Sequence, residues 1–375
     1  MDYIQHVLKV INEAKTLEVK AVDAVRALLS HVPNVEFGPV DFGHDVGRNY
    51  QIDGSICLSH GDVDYAFIIE VKSNGAPQIV RSAIYQLESC LSYLHSSGYA
   101  DGGRRLIPMV VSPYLSPKSR SICSEHGFAY ADLVGNAHLA FGGVYIERSV
   151  ADKPKAETRA LRSVFSPRAA AILRVMLRNP DRPWLVTELA DRANASVGHV
   201  SNVRKALMER EWIERQDGGV ALVQPGALLR TWRENYRRPD GRSISRYTHL
   251  HGEQLDAKLS EILNVQAERP RAILALNSAA QWIAPFARDG TRAFYADEAG
   301  AELLIRTLRL RPAAIAANVF VHIPTDESLF DDAIETVPGV FCANEIVTYL
   351  DLWCGNDRDR EAAEHLARES FPWLR

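Results

Sequence analysis

Ala66-Phe67-Ile68-Ile69-Glu70-Val71-Lys72 is an apolar run that ends in two opposite charges. Aromatic and β-branched residues in so short a stretch read as a strand, and the turn-like His60-Gly61-Asp62 bounds it on the N-terminal side. Successive side chains of a strand point to opposite faces, so Glu70 and Lys72 share one face and Val71 faces the other, towards a core. A second carboxylate, Asp53 in Gln51-Ile52-Asp53-Gly54, sits at the mouth of the preceding β-type run. Working outward, residues 1–30 carry Val7, Leu8, Ile11, Leu17, Val22, Val25 and Leu28 at helical spacings, as one helix or two. Val35–Lys72 reads as short strands, Gln78–Ser96 as a helix, Leu106–Val111 as a buried strand and Ser116–His126 as a helix. Strands at Ala129–Leu133 and His138–Glu147 follow, around a Gly135-Asn136 turn. This alternation predicts an α/β domain over residues 1–150.

The chain of 375 residues is 46% hydrophobic and 24% charged, which excludes disordered and fibrous classes and fits two or three domains. No run approaches the roughly 18 apolar residues of a membrane span, and residues 1–20 mix charges into their apolar pattern, unlike a secretory leader. The five cysteines are dispersed without a C-x-x-C pair, which predicts reduced thiols and a cytoplasmic location with no membrane contact. His249-x-His251 lacks partners at zinc spacing and reads as loop surface.

The formal net charge of -4 conceals an asymmetry: Ala151–Tyr247 holds 19 Lys and Arg against 11 Asp and Glu, so the middle is basic and the flanks are acidic. That footprint suits a nucleic-acid-binding module between other domains, and equally an Arg-rich solvated surface. Ala151–Arg162 reads as a linker or lead-in; Ser166-Pro167 then opens a helix, with Ser as N-cap and Pro at the first position. Thr187 can cap a short helix at Glu188–Arg192, and Asn194-Ala195-Ser196 turns into a third at Ser196–Glu209. That third helix places Val197, Val200, Val203, Ala206 and Leu207 on an apolar stripe and Ser196, His199, Ser201, Asn202, Arg204 and Lys205 on other faces. A hairpin around Asp217-Gly218-Gly219 follows, with Arg215 placed for a phosphate or a minor groove. The order resembles a winged helix-turn-helix domain over residues 163–226, which implies double-stranded DNA as partner and Ser196–Glu209 as recognition helix. Winged helices also serve as protein-interaction modules.

Beyond it, Leu228–Tyr236 reads as helix and Arg237–Arg246 as a second linker. Residues 247–375 form a third, α/β domain, with helices at Gln254–Leu263, Ala279–Phe286, Ala299–Leu308 and Arg358–Ser370 and strands at Ala272–Leu276 and Asn318–Ile323. Asp351 and Asp357 are read as caps or surface residues rather than metal ligands.

Two carboxylates such as Asp53 and Glu70 can hold Mg²⁺ through oxygen ligands, and Lys72 can orient a water or stabilise phosphorane charge. The same residues would also suit a solvated ion pair on an edge strand. The spacing D-x16-E-x-K, between an N-terminal helix and a following helix, resembles the PD-(D/E)XK nuclease superfamily, a restriction-endonuclease-like α/β fold. The resemblance implies catalytic roles for Asp53, Glu70 and Lys72, with Gln86 on the following helix and Glu13 as a first-helix carboxylate. It also implies a metal site of Asp53, Glu70 and the carbonyl of Val71.

Ala343-Asn344-Glu345-Ile346-Val347-Thr348-Tyr349-Leu350-Asp351-Leu352, followed by Arg360-Glu361-Ala362-Ala363-Glu364, resembles the AbiEi family, as does Ala131-Asp132-Leu133-x-Gly135-Asn136. That resemblance implies an antitoxin-type transcriptional regulator of a type IV toxin–antitoxin or phage-defence operon, with a nucleotidyltransferase-like toxin as partner. Family members usually carry the winged helix at the N-terminus, whereas here it is central. The expectation is therefore an α/β multidomain, DNA-binding regulator, in the form of a homodimer on a repeated site. The alternatives are a Mg²⁺-dependent DNA endonuclease targeted by its winged helix and a defence scaffold whose end domains bind proteins.

Overall fold

The apolar spacing at the N-terminus folds as one helix, α1 (Asp2–Leu29), whose Ala21, Val22, Val25 and Leu29 are fully buried. The computed structural model describes residues 2–47, 50–99, 103–151, 154–251, 254–255, 257–259, 271–286, 290–312 and 316–374. Side chains of residues 2–14, 44–47, 50 and 156 lie outside that description. The protein is mixed α/β and divides into two compact units, Met1–Arg159 with Met208–Glu211, and Ala160–Leu207 with Trp212–Arg375. Residues 1–150 thus fall in the first unit. Most of residues 163–226 and all of 247–375 belong together in the second.

In the first unit, α1 covers a seven-stranded sheet whose strands lie in sequence order: β1 (Val35–Gly47), β2 (Tyr50–His60), β3 (Val63–Val71), β4 (Arg105–Ser112), β5 (Ala129–Asp132), β6 (Ala137–Phe141) and β7 (Val144–Arg148). β3 pairs antiparallel to β2 and parallel to β4, and it is buried on both faces, which explains its unbroken apolar run. Phe67 and Ile69 pack with the α1 residues, Met109 and Val111. Ala66 and Ile68 face Val80, Ala83, Ile84 and Leu87 of α2 (Pro77–Ser96), and the same core includes Ile122 of α3 (Pro117–Glu125). The stretch expected as a single strand at His138–Glu147 is instead the β6–β7 hairpin. It is turned by Gly142 and Gly143 at φ 53° and 81°, a left-handed pair that residues with a Cβ seldom adopt. Asp132 ends β5 and is buried, accepting hydrogen bonds from the backbone N–H groups of Leu115, Val134, Gly135 and Asn136 and from the Asn136 amide. The Asp-x-x-Gly-Asn motif is thus a self-closed turn.

Ala151–Arg162, expected as a linker, contains most of α4 (Lys155–Val164). Its charged majority hides Leu161 and Val164, which are buried one turn apart. Next come α5 (Pro167–Arg178), α6 (Val186–Arg192) and α7 (Val197–Glu209), then the hairpin of β8 (Ile213–Gln216) and β9 (Gly219–Leu222), then α8 (Pro225–Asn235). Trp184 bridges Val220, adding a third strand-like segment beside the hairpin. α6 starts at Val186, with Leu185 at the cap position and no side-chain cap, so Thr187 lies inside the helix rather than before it.

The second expected linker, Arg237–Arg246, is corrected too: Gly241–Tyr247 is β10, paired residue by residue with β14 (Val319–Pro324). On its other side lies the two-residue β13 (Arg311–Pro312), so most of its side chains stay exposed and read as polar loop. The sheet order is β13-β10-β14-β12-β11-β16-β15, with β11 (Ala272–Leu274), β12 (Arg292–Ala296), β15 (Ile334–Val337) and β16 (Val340–Cys342). Helices α9 (Leu276–Ile283), α10 (Glu298–Thr307), α11 (Ser328–Asp331), α12 (Glu345–Trp353) and α13 (Asp357–Ser370) complete the unit. Half of the helix expected at Gln254–Leu263 lies outside the described residues, and Leu255 and Leu259 in the other half pack into the core. Among the described residues no helix is long and apolar enough to cross a membrane. All five cysteines are free, and burial pushes the Cys123 and Cys342 thiols up to about 12.

Asp351 departs most from expectation. It is neither cap nor surface but fully buried, accepting from the Tyr236 hydroxyl at 2.8 Å and the Tyr295 hydroxyl at 2.7 Å, while Arg238 donates to its backbone oxygen at 3.0 Å. This carboxylate fastens the end of α8 to β12 and α12. Arg174 of α5, paired with Asp332, and Arg233 of α8, donating to the Tyr349 hydroxyl at 2.9 Å, add two further ties. Burial holds the Asp351 carboxyl up at about 6 in spite of both hydroxyls. A raised carboxyl stabilises the fold in its neutral form, so that stability is complete below about pH 4 and is lost as pH climbs through 6, by roughly 2–3 kcal/mol. Asp351→Asn should therefore gain melting temperature relative to wild type as pH rises from 4 to 7. A difference independent of pH across that window would refute the assignment.

Candidate active site and nucleic-acid interface

The β2–β3 register sets Gly54 against Ile69, and one step further brings Asp53 beside Glu70 where the two strands part. There the Val71 N–H donates to Asp53 Oδ2 at 2.7 Å, while the Val71 side chain packs towards the α1-side core. Lys72 Nζ donates to Glu70 Oε1 at 2.5 Å and to Gln86 Oε1 of α2 at 2.8 Å. Strand end and helix thus hold one ammonium between a carboxylate and an amide. The Lys72 backbone N–H is itself tied to Val111 of β4, which fixes the strand at that point.

A third carboxylate, missed from the sequence, is Glu18 of α1. Glu13 lies on the same helix with its side chain outside those described. Glu18 is raised by burial and then by the charge of Asp53, with Lys15 of the same helix opposing. Asp53 is raised by burial, against the Val71 N–H and Lys72, and Glu70 is raised by burial and then by Asp53, with Glu18 adding to it. Three mutually repelling carboxylates therefore share this corner, and Lys72 is the ammonium bonded into it. The packing that brings Glu18 there is a tertiary fit: Val22, one turn on, lies against Gly54, next to Asp53. A Cβ at Gly54 would lie 2.5 Å from Val22 Cγ2, so only glycine lets α1 come this close. Gly54→Ala should push α1 outward, lower stability by about 1–3 kcal/mol and lower the pKa of Glu18 by moving it away from Asp53. The added Val22→Ala should restore both, as read by thermal unfolding and by carboxyl titration in NMR. A Gly54→Ala protein indistinguishable from wild type would overturn this account.

Among the described residues no three His, Cys, Asp or Glu side chains are arranged to enclose a metal ion. The set of Asp53, Glu70 and the Val71 carbonyl holds only two such side chains. Its chemistry fits Mg²⁺, because all three donors are hard oxygens and the carboxylates carry excess negative charge.

On α7, Val200, Val203 and Leu207 are buried, whereas Asn202 and Lys205 are exposed and Ser201 and Arg204 are half-exposed. Two residues expected on the outward face do other work. Ser196 accepts the His199 N–H as a helix cap, and His199 Nε2 is turned inward and buried. Val197, expected in the apolar stripe, is 50% exposed instead. Arg215 on the hairpin is exposed.

No family model matches the chain, and neither a curated protein nor a solved structure matches it.

Proposed function

We propose that the chain is a Mg²⁺-dependent DNA endonuclease that docks on duplex DNA through the winged-helix-like segment of its second unit. The observation that carries this reading is Lys72 Nζ held between Glu70 and Gln86 beside Asp53. An isolated surface ion pair would not need a helix amide to aim its lysine, nor two more carboxylates around it. The restriction-endonuclease-like order of helix, strands and helix around D-x16-E-x-K supports the same reading.

Asp53, Glu70 and the Val71 carbonyl would hold a divalent ion, which would supply positive charge against a scissile phosphate. Lys72 orients the attacking water and stabilises charge on the phosphoryl oxygens, and Gln86 keeps its ammonium in place. Glu18 raises the negative potential that attracts the ion. The deciding assay compares plasmid and linear DNA with each divalent ion, wild type against Lys72→Ala.

A second reading, the AbiEi-like regulator or antitoxin, is favoured by one observation: Glu70 and Lys72 already neutralise each other without a metal. In that case the first unit is a nuclease-like fold without hydrolysis, the chain is a homodimer on a repeated operator, and a nucleotidyltransferase-like toxin is its partner. Light scattering on free and DNA-bound protein, together with an assay of operon repression, tests it.

A further inference from the structure

Two residues of α7 contribute little to its packing among the described residues. Val197 stands half in solvent at the first turn, although Val200, Val203 and Leu207 of the same helix are at most 5% exposed. Gly198, next to it, is exposed, and a Cβ built there would meet nothing within 4 Å. Glycine is a poorer helix former than alanine, by roughly 0.5–1 kcal/mol in a helix interior and by less in a first turn, and no described neighbour of Gly198 requires its smallness. An exposed branched side chain beside an unneeded glycine fits a surface that something else approaches closely. Positions 197, 201 and 205, with 198 and 202, fall on one side of the helix. The stripe therefore runs Val197, Gly198, Ser201, Asn202, Lys205. Glu209, the next position of the same row, is acidic; the five residues before it include no acidic side chain and lie within the basic segment Ala151–Tyr247, so their charge complements a polyanion.

We infer that this stripe reads A·T base pairs in the major groove of duplex DNA: Val197 against a thymine methyl, Asn202 on the N6/N7 edge of adenine, and Gly198 letting the backbone approach. The inference rests on the winged-helix docking proposed above and adds the base class it selects. The chemistry matches the groove. An apolar side chain discriminates thymine by its C5-methyl, and an amide pairs bidentately with adenine, whereas guanine is met by Arg or Lys. Lys205, one turn past Ser201, falls near the end of the stripe and suits a phosphate contact.

The test is selection from a pool of randomised duplexes by the full-length protein, followed by replacement of thymine with deoxyuracil, which removes only the methyl. Wild type should select A·T pairs and lose about 3- to 5-fold in affinity on the replacement, the size of one buried methyl group. Val197→Ala should bind both duplexes alike. Gly198→Ala should unfold at a higher temperature than wild type yet bind the selected duplex at least several-fold more weakly, a split that a purely structural glycine would not give. Salt-dependent binding without A·T preference, or an equal methyl effect in wild type and Val197→Ala, would overturn this inference and leave the docking reading intact. Failure to bind any duplex would overturn both.

Discussion

Lys72→Ala should reduce Mg²⁺-dependent nicking of plasmid DNA by about 10²–10³-fold, the usual cost of removing one charge-stabilising donor from a reacting centre. The loss should fall on the chemical step. Divalent affinity should stay equal or rise, because the ammonium that now neutralises Glu70 competes with a cation for that carboxylate. Duplex affinity should be unchanged, since the docking helix belongs to other residues. The pH profile offers an independent check. Asp53, Glu70 and Glu18 are all raised, first by burial and then by one another where charge adds to it. Protonation as pH falls therefore reaches these groups before ordinary carboxylates, and metal binding with cleavage should decline at a pH above the usual carboxylate range. Equal background nicking by wild type and Lys72→Ala would remove the nuclease reading and leave the regulator reading. Without metal, Lys72→Ala should also unfold more easily, because Glu70 loses the ammonium bonded to it while Asp53 still repels it.

The double variant Arg204→Ala with Lys205→Ala should weaken duplex binding roughly 10- to 100-fold at low salt. It should also flatten the log–log salt dependence by about 1.8, or 0.9 for each phosphate that is no longer neutralised. Asn202→Ala should leave that slope alone and relax base preference instead, a separation that fluorescence anisotropy over a salt series resolves. An unchanged slope in the double variant would take α7 out of DNA recognition. The core of the helix is not at risk, because its buried side chains are Val200, Val203 and Leu207.

Local pattern alone determined a good deal here. The run Ala66–Lys72 announced a strand, and the alternation around it announced an α/β unit. The two-residue spacing put Glu70 and Lys72 on one face. Val200, Val203 and Leu207 at helical intervals marked the inward side of α7, although Val197 of the same set stays exposed. These features follow from periods of two and 3.6 residues, which a one-dimensional text carries in full. Other features exist only because distant segments meet. Glu18 reaches the site through the close fit of Val22 on Gly54, a meeting of helix and strand that no spacing encodes. β10 read as linker because its partners, not its own side chains, make it a strand: β14 supplies its backbone hydrogen bonds while its surface stays polar. Asp351 read as surface because an acidic residue near a chain end usually is; two tyrosine hydroxyls from α8 and β12, 115 and 56 residues away, make its burial tolerable. Val197 read as core because helical periodicity cannot tell an inner turn from one that overhangs the end of the packed surface. Sequence sets which face a side chain takes, whereas only the assembled structure sets what stands opposite it.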